Sequence, residues 1–183
     1  IGNIIGSNIA NIGLVLGLSG TIYLISYNFK DIKLDILFLI IATLFFSGIL
    51  YFNHFTHSYG LILILILFIY VYVLVKFNRI TNTSKDQNSD VLHPINKLII
   101  FIILGSLGLS LGSYWLIEGA IGIAKYFNVS DIVIGATAIA LGTSLPELAA
   151  SLNAAKKNEF GLLFGNIFGS NIINIVLVFS TSL

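Results

Sequence analysis

An apolar segment, 135–159, contains the hexapeptide Gly142-Thr143-Ser144-Leu145-Pro146-Glu147 near its middle. Pro146 has no N–H to donate to the carbonyl of Gly142, and its ring crowds that carbonyl, so we expect the helix to bend or open here. Glu147 places a carboxylate inside a stretch long enough to cross a membrane, where charge is costly and usually functional. Secondary transporters use such discontinuous helices to expose oxygen atoms to cations near the bilayer midplane.

Residues around this acid share one helical stripe because their spacing is i, i+3, i+4 and i+7: Ala140, Thr143, Ser144 and Glu147. The stripe offers a carboxylate, hydroxyl groups and the loosened carbonyl of Ala140. Oxygen ligands suit sodium, calcium or magnesium and do not suit zinc or copper. The alternative is a proline-kinked packing helix in which Glu147 is neutral or hydrogen-bonded to a neighbour.

The composition indicates a membrane protein. Of the 183 residues, 57% are hydrophobic and 9% are charged, whereas soluble domains carry about 25% charged residues. Apolar runs predict an all-α membrane protein with six transmembrane helices, at 2–27, 34–53, 58–77, 96–127, 131–157 and 161–181. The net charge of +1 gives no reason to expect a nucleic-acid partner, and without cysteine there is no disulfide or thiolate metal site.

Lysine and arginine residues predict the orientation of these helices. The loops after the first, third and fifth predicted helices contain all of them except Lys125. Positive charge is retained on the cytoplasmic side of a membrane. We therefore expect a multi-pass protein of the cell membrane in which loops 28–33, 78–95 and 156–160 are cytoplasmic.

An internal repeat links the two ends of the chain. Residues 2–15 and 165–178 are identical at 11 of 14 positions, including glycine, serine and asparagine residues in register. The copies lie on the first and sixth predicted helices, so they run through the membrane in opposite directions. Inverted repeats form substrate sites at their interface in secondary transporters. Two polar pairs spaced four residues apart can therefore share one site, namely Ser7 with Asn11 and Ser170 with Asn174. The alternative is that these small and polar residues only hold the helices together.

These motifs together resemble a known family. The hexapeptide, followed by Gly-Asn-Ile-Phe-Gly-Ser-Asn at 165–171, is similar to the second α-repeat of the calcium/cation antiporter superfamily, and most similar to prokaryotic sodium/calcium exchangers. Residues 2–17 resemble the end of the first α-repeat. The resemblance implies a ten-helix fold with inverted α-repeats, of which this chain is a fragment covering the third to eighth helices. In that single transmembrane domain, 1–77 would end the first repeat half, 78–95 would be a cytoplasmic loop, and 96–183 would begin the second half with the ion-binding motif.

The resemblance also implies a function and its residues. Members exchange calcium for sodium by alternating access, so we expect an antiporter without a cofactor, monomeric in the lipid bilayer, whose transported ions are calcium and sodium. The matching positions imply an ion site at the midplane, formed by oxygens of Glu147, Thr143, Ser144, Ala140, Ser170, Asn174, Asn11 and Ser7. The family's first repeat has its own copy of the hexapeptide, which would lie upstream of Ile1 and supply a glutamate facing Glu147.

Other functions stay open at this point. A proton/calcium exchanger or a potassium-dependent sodium/calcium exchanger would use the same scaffold. Asn174 stands where some close relatives have an aspartate, which leaves the ion stoichiometry open. A passive cation channel would need a continuous pore and no counter-ion. An intramembrane hydrolase would need a base beside Ser144 or Ser170, and since no histidine or lysine is expected inside the membrane, we do not expect an enzyme.

Overall fold

The computed structural model describes residues 1–52, 56–76 and 95–181, which are almost entirely helical. The helices are α1 (Gly2–Ile22), α2 (Phe29–Phe52), α3 (His57–Lys76), α4 (Ile95–Tyr126), α5 (131–143), α6 (Leu145–Lys156) and α7 (160–181). Within the described ranges, five helices are long and apolar enough to cross a membrane, namely α1 to α4 and Phe160–Val178 of α7. The remaining predicted span is divided into α5 and α6.

The division of this span falls at the hexapeptide, and the expected opening of the helix is confirmed. Helix α5 ends at Thr143 and α6 begins at Leu145. Between them, Ser144 has φ −90° and ψ −1°, in the sparsely populated bridge region. Pro146 lies in the first turn of α6, where a proline loses no helical hydrogen bond. The break therefore precedes the proline, and Glu147 lies in the first turn of the new helix.

Wider π-helical turns interrupt three of the described helices. They occupy Asn11–Leu16 in α1, Gly135–Ile139 in α5 and Asn174–Val178 in α7. The first and third of these segments begin at equivalent asparagines of the internal repeat, so the two copies share a backbone feature as well as a sequence. Such π-helical turns are found frequently at functional sites.

The first helix is shorter than its predicted range of 2–27. It ends at Ile22, and Tyr23 is extended, with φ −122° and ψ 137°. The segment that follows still packs inward, because Tyr23 and Ile25 lie against the buried cluster formed by α6 and α7. An apolar segment can pack in an extended conformation, and hydropathy alone does not distinguish this from a helix.

Helix α7 is at the centre of the core. One side of it packs on α2 and α3, where the rings of Phe46 and Phe179 meet edge to face at 4.8 Å. Its other side packs on α6 and α1, where Val15 and Ala154 join Leu163 in a second buried cluster. Because α7 is apolar on two sides, it is buried between layers of helices, as expected for such a pattern.

Helix α4 lies at the edge of the described structure. Its contacts are with α5 and α6, and Ser113 is its buried residue among those described. Glu118 is exposed on this helix. The predicted loop 78–95 lies, except for Ile95, outside the described residues, so its cytoplasmic placement stays a prediction.

Helix α1 approaches α5 very closely at a glycine. A Cβ atom on Gly6 would lie 2.5 Å from the carbonyl oxygen of Ala136 and 2.6 Å from Cβ of Ala140. Small residues allow membrane helices to pack backbone against backbone in this way. This contact places the first copy of the repeat beside the hexapeptide.

Candidate functional site

Equivalent residues of the two repeats are joined by equivalent hydrogen bonds where α1 crosses α7. Asn11 Nδ2 donates to Ser170 Oγ at 3.1 Å, and Asn174 Nδ2 donates to Ser7 Oγ, also at 3.1 Å. In each pair, the later residue of one copy meets the earlier residue of the other. The two helices therefore cross in opposite directions, which confirms the inverted repeat.

A second pair of bonds repeats this symmetry. Asn11 Nδ2 also donates to Asn171 Oδ1 at 3.0 Å, and Asn174 Nδ2 also donates to Asn8 Oδ1 at 3.3 Å. The amide nitrogens of both asparagines thus point at protein acceptors. Asn11 is only 1% exposed, so water does not reach its side-chain oxygen. This buried oxygen nevertheless has no hydrogen-bond donor among the described residues.

The broken helix joins this crossing through its serine and threonine. Ser144 is 1% exposed, and its Oγ donates to the carbonyl of Ser7 at 3.4 Å. Thr143 Oγ1 lies 3.1 Å from the carbonyl of Ala140 and 3.3 Å from Oδ1 of Asn3. The break therefore places two hydroxyl groups beside the first copy of the repeat.

Glu147 is connected to the crossing through Asn166 of α7. The amide of Asn166 donates to the main-chain carbonyl of Glu147 at 3.1 Å and to Ser151 Oγ at 3.0 Å. The carbonyl of Asn166 in turn accepts from Ser170 Oγ at 2.7 Å. Oε2 of Glu147 is buried and has no hydrogen-bond partner in the described part of the chain.

These hydrogen bonds join the predicted residues in three groups, which are Asn11 with Ser170, Ser7 with Asn174 and Ser144, and Thr143 with Ala140. Glu147 is joined to Ser170 through Asn166. Among the described residues, no group of three or more His, Cys, Asp or Glu side chains could hold a metal ion. The polar atoms gathered here are mainly neutral hydroxyl, amide and carbonyl groups with one carboxylate. Such a set suits hard cations better than zinc or copper.

A family model described as the sodium/calcium exchanger protein matches residues 1–76 and 97–183. The chain belongs to this family. An uncharacterized membrane protein of Methanocaldococcus jannaschii is 39% identical over 176 residues, which are 96% of this chain and 57% of that protein. The sodium/calcium exchanger MaX1 of Methanosarcina acetivorans is 43% identical over 79 residues, which are 43% of this chain and 23% of that protein.

A solved exchanger structure agrees with the fold. The sodium/calcium exchanger from Methanococcus jannaschii superimposes with a TM-score of 0.71 at 38% identity, covering 98% of this chain and 57% of that one. The expectation of an exchanger fold built on inverted repeats is thereby confirmed. This chain spans 57% of the length of this structure and of the first relative above.

Several polar residues of this candidate site have no role assigned by sequence reasoning alone. Asn8, Asn166 and Asn171 belong to the repeated Gly-Asn-x-x-Gly-Ser-Asn motif, and their recurrence in register was the available signal. Their partners could not be read from the sequence, since all three bond across helices.

A buried acid in the second turn of α2 was also missed. Asp35 is 8% exposed, and it accepts a hydrogen bond from the hydroxyl of Tyr70 on α3 at 2.9 Å. Asp35 is the second residue of the predicted span 34–53, and an acid at that position is expected to face water at the end of a helix. This bond holds α2 against α3.

Proposed function

We propose that the full-length exchanger moves calcium across the membrane in exchange for sodium, and that the ions bind where α1 and α7 cross beside the break between α5 and α6. The observation that carries this proposal is that two of the residues predicted as ligands each have a buried oxygen atom without a donor, Asn11 Oδ1 and Glu147 Oε2. Leaving a buried acceptor unsatisfied is costly. A bound cation would supply the positive charge that both oxygens lack.

The orientation of the neighbouring groups supports a cation as the ligand. Because Asn11 donates through its amide nitrogen to two protein oxygens, its own oxygen is free to bind an ion. Thr143 and Ser144 direct their hydroxyl hydrogens to carbonyl groups, so lone pairs of both hydroxyl oxygens stay available. Carboxylate, amide, hydroxyl and carbonyl oxygens together form a ligand set that calcium and sodium prefer.

Charge balance accounts for the coupling of the two ions. The family resemblance implies a second glutamate, upstream of Ile1 in sequence, that would face Glu147. Two carboxylates balance one calcium ion or two sodium ions, whereas an empty site would leave both charges in an apolar surrounding, which is costly. The protein would then switch between its outward-open and inward-open states readily only with ions bound. The inverted repeats would give these two states similar energy.

Asn174 fits this site as a neutral ligand. Its amide donates to Ser7 Oγ and to Asn8 Oδ1, and an aspartate in its place could donate neither bond. The asparagine therefore completes the symmetric hydrogen-bond network and adds no charge. We propose on this basis that Glu147 is the titratable ligand that this chain contributes to the exchange site.

Replacing the counter-ion tests the proposed ion pair. In proteoliposomes of the full-length protein, an outward sodium gradient is expected to drive uptake of radioactive calcium at a rate that saturates with calcium. Uptake should fall to background when potassium replaces sodium, or when a pH gradient is imposed without sodium, because only sodium would compete for the same oxygens.

The same measurement separates the alternative functions. Uptake driven equally by a pH gradient would indicate proton/calcium exchange, and uptake that needs both sodium and potassium would indicate a potassium-dependent exchanger. Calcium flux that continues without any counter-ion and does not saturate would contradict antiport and indicate a channel.

A further inference from the structure

Asn166 occupies a position that connects the carboxylate helix to the repeat crossing. Its side chain contacts α6 at the carbonyl of Glu147 and at Ser151 Oγ, at 3.1 and 3.0 Å. Its main-chain carbonyl accepts from Ser170 Oγ, which itself accepts from Asn11 Nδ2. One residue thus links Glu147 to the polar groups of both repeats.

We infer that Asn166 is a positioning residue that sets the ion affinity of the exchanger by fixing the backbone of Glu147. This inference rests on the proposed role of Glu147 as an ion ligand. Asn166 acts on the main chain of Glu147, so it would orient the carboxylate without occupying an oxygen that the ion needs.

The location of Glu147 explains why its backbone needs a partner from another helix. It lies in the first turn of α6, directly after the break at Ser144. The first N–H groups of a helix have no intrahelical acceptor, so its first turn is held by fewer hydrogen bonds than its interior. The amide of Asn166 supplies a fixed contact from α7, a helix that is buried on two sides.

Glu147 keeps one carboxylate oxygen without a partner while its backbone is held by Asn166. Glu147 Oε2 is buried without a hydrogen-bond partner in the described residues, whereas the carbonyl of the same residue is bound by Asn166. Groups that orient the ligands of a metal ion in this way commonly change its affinity by about 10- to 100-fold when they are removed. A preorganised ligand needs no rearrangement when the ion arrives.

The equivalent asparagine of the first repeat contacts the same hexapeptide. Asn3 Oδ1 lies within hydrogen-bond distance of Thr143 Oγ1, at 3.3 Å, while Asn166 binds the carbonyl of Glu147. The first asparagine of each repeat therefore reaches a residue of the hexapeptide that we propose as a ligand. This agreement between the two copies favours a role at the site over an isolated packing contact.

Asn166→Leu removes both donated bonds at nearly constant side-chain size. In proteoliposomes of the full-length exchanger, we expect the half-saturating calcium concentration to rise about 10-fold, while the maximal rate stays within about threefold of the wild type. Ser151→Ala is the matched control, because it removes one acceptor of Asn166 and keeps the bond to Glu147. Its half-saturating concentration should change by less than about threefold.

Two further variants complete the test. Asn166→Gln keeps an amide donor and is expected to retain part of the calcium affinity that Asn166→Leu loses. If Asn166→Leu does not reach the membrane, Asn166→Ala takes its place, since a methyl side chain cannot donate to the Glu147 carbonyl and adds no charge near the proposed site, so the same loss of affinity is expected. Glu147→Gln in the same preparation reports on the proposed ion site itself.

The possible results have distinct meanings. The inference is overturned if Asn166→Leu lowers thermal stability without changing the half-saturating calcium concentration, or if Ser151→Ala changes that concentration equally. If the wild type still exchanges sodium for calcium and Glu147→Gln does not, such results would leave the proposed function unaffected. Wild-type protein without sodium-driven calcium uptake would overturn the proposed function, and the inference with it.

Discussion

Replacing Glu147 with glutamine is expected to abolish sodium-driven calcium uptake by the full-length exchanger, to below about 1% of the wild-type rate. Glutamine has nearly the same shape as glutamate, and the contact from Asn166 uses the main-chain carbonyl, which the substitution leaves unchanged. The protein should therefore fold normally and lose only a charge. Without that charge, neither a calcium ion nor a pair of sodium ions would be balanced at the site.

Glu118→Gln is the matched control for this prediction. It makes the same chemical change on α4, where Glu118 is exposed, and it should leave calcium uptake within about twofold of the wild type, as surface substitutions usually do. Isotope flux into proteoliposomes with equal amounts of incorporated protein measures both variants. Undiminished uptake by Glu147→Gln, or equal losses in both variants, would contradict the assignment of Glu147 as an ion ligand.

The repeat carried most of the information that could be predicted about the site. Because 2–15 and 165–178 match in register and lie an odd number of crossings apart, the sequence predicted that the pair Ser7 and Asn11 and the pair Ser170 and Asn174 could meet at one shared site between antiparallel helices. The structure confirms this meeting, with Asn11 bonded to Ser170 and Asn174 bonded to Ser7. The inverted relation of the two copies is what allowed a sequence match to predict contacts between residues far apart in the chain.

The residues that were missed depend on contacts that no local pattern specifies. Proline chemistry located the helix break, yet it could not indicate that Asn166, on another helix, would bind the carbonyl of Glu147. Asp35 and Tyr70 are each ordinary near a helix end, and only the packing of α2 on α3 brings them to 2.9 Å. Hydropathy likewise could not end α1 at Ile22, because the next residues are apolar and packed although they are extended.

The contact between α1 and α5 leads to the second large prediction, that Gly6→Ala strongly reduces calcium uptake by the full-length exchanger. The new Cβ would meet the carbonyl oxygen of Ala136 at 2.5 Å and Cβ of Ala140 at 2.6 Å. One of these atoms is backbone and the other is fixed to it, so no rotamer change relieves the contact. The two helices would have to separate by about 1 Å, and overpacking of this kind costs about 1–3 kcal/mol, occasionally more.

This separation would act directly on the proposed site. Ser7, the neighbour of Gly6, accepts the Ser144 hydroxyl through its carbonyl at 3.4 Å, close to the limit for a hydrogen bond. Moving α1 away from α5 by about 1 Å would break that bond and displace Ser144 from the first repeat. We therefore expect the maximal rate of calcium uptake to fall at least about 10-fold, together with the melting temperature of the detergent-solubilised protein.

Two other glycines provide graded controls for the effect of Gly6. A Cβ on Gly142 would meet side-chain atoms of Ile117 and no backbone atom, whereas a Cβ on Gly48 would meet no atom within 4 Å. Gly142→Ala should therefore have an intermediate effect, and Gly48→Ala should leave uptake and melting temperature nearly unchanged, since alanine also favours helix by about 1 kcal/mol. Equal effects of all three substitutions would contradict this explanation. They would show that these glycines contribute helix flexibility, and that the close approach of α1 to α5 is not the reason for the effect at Gly6.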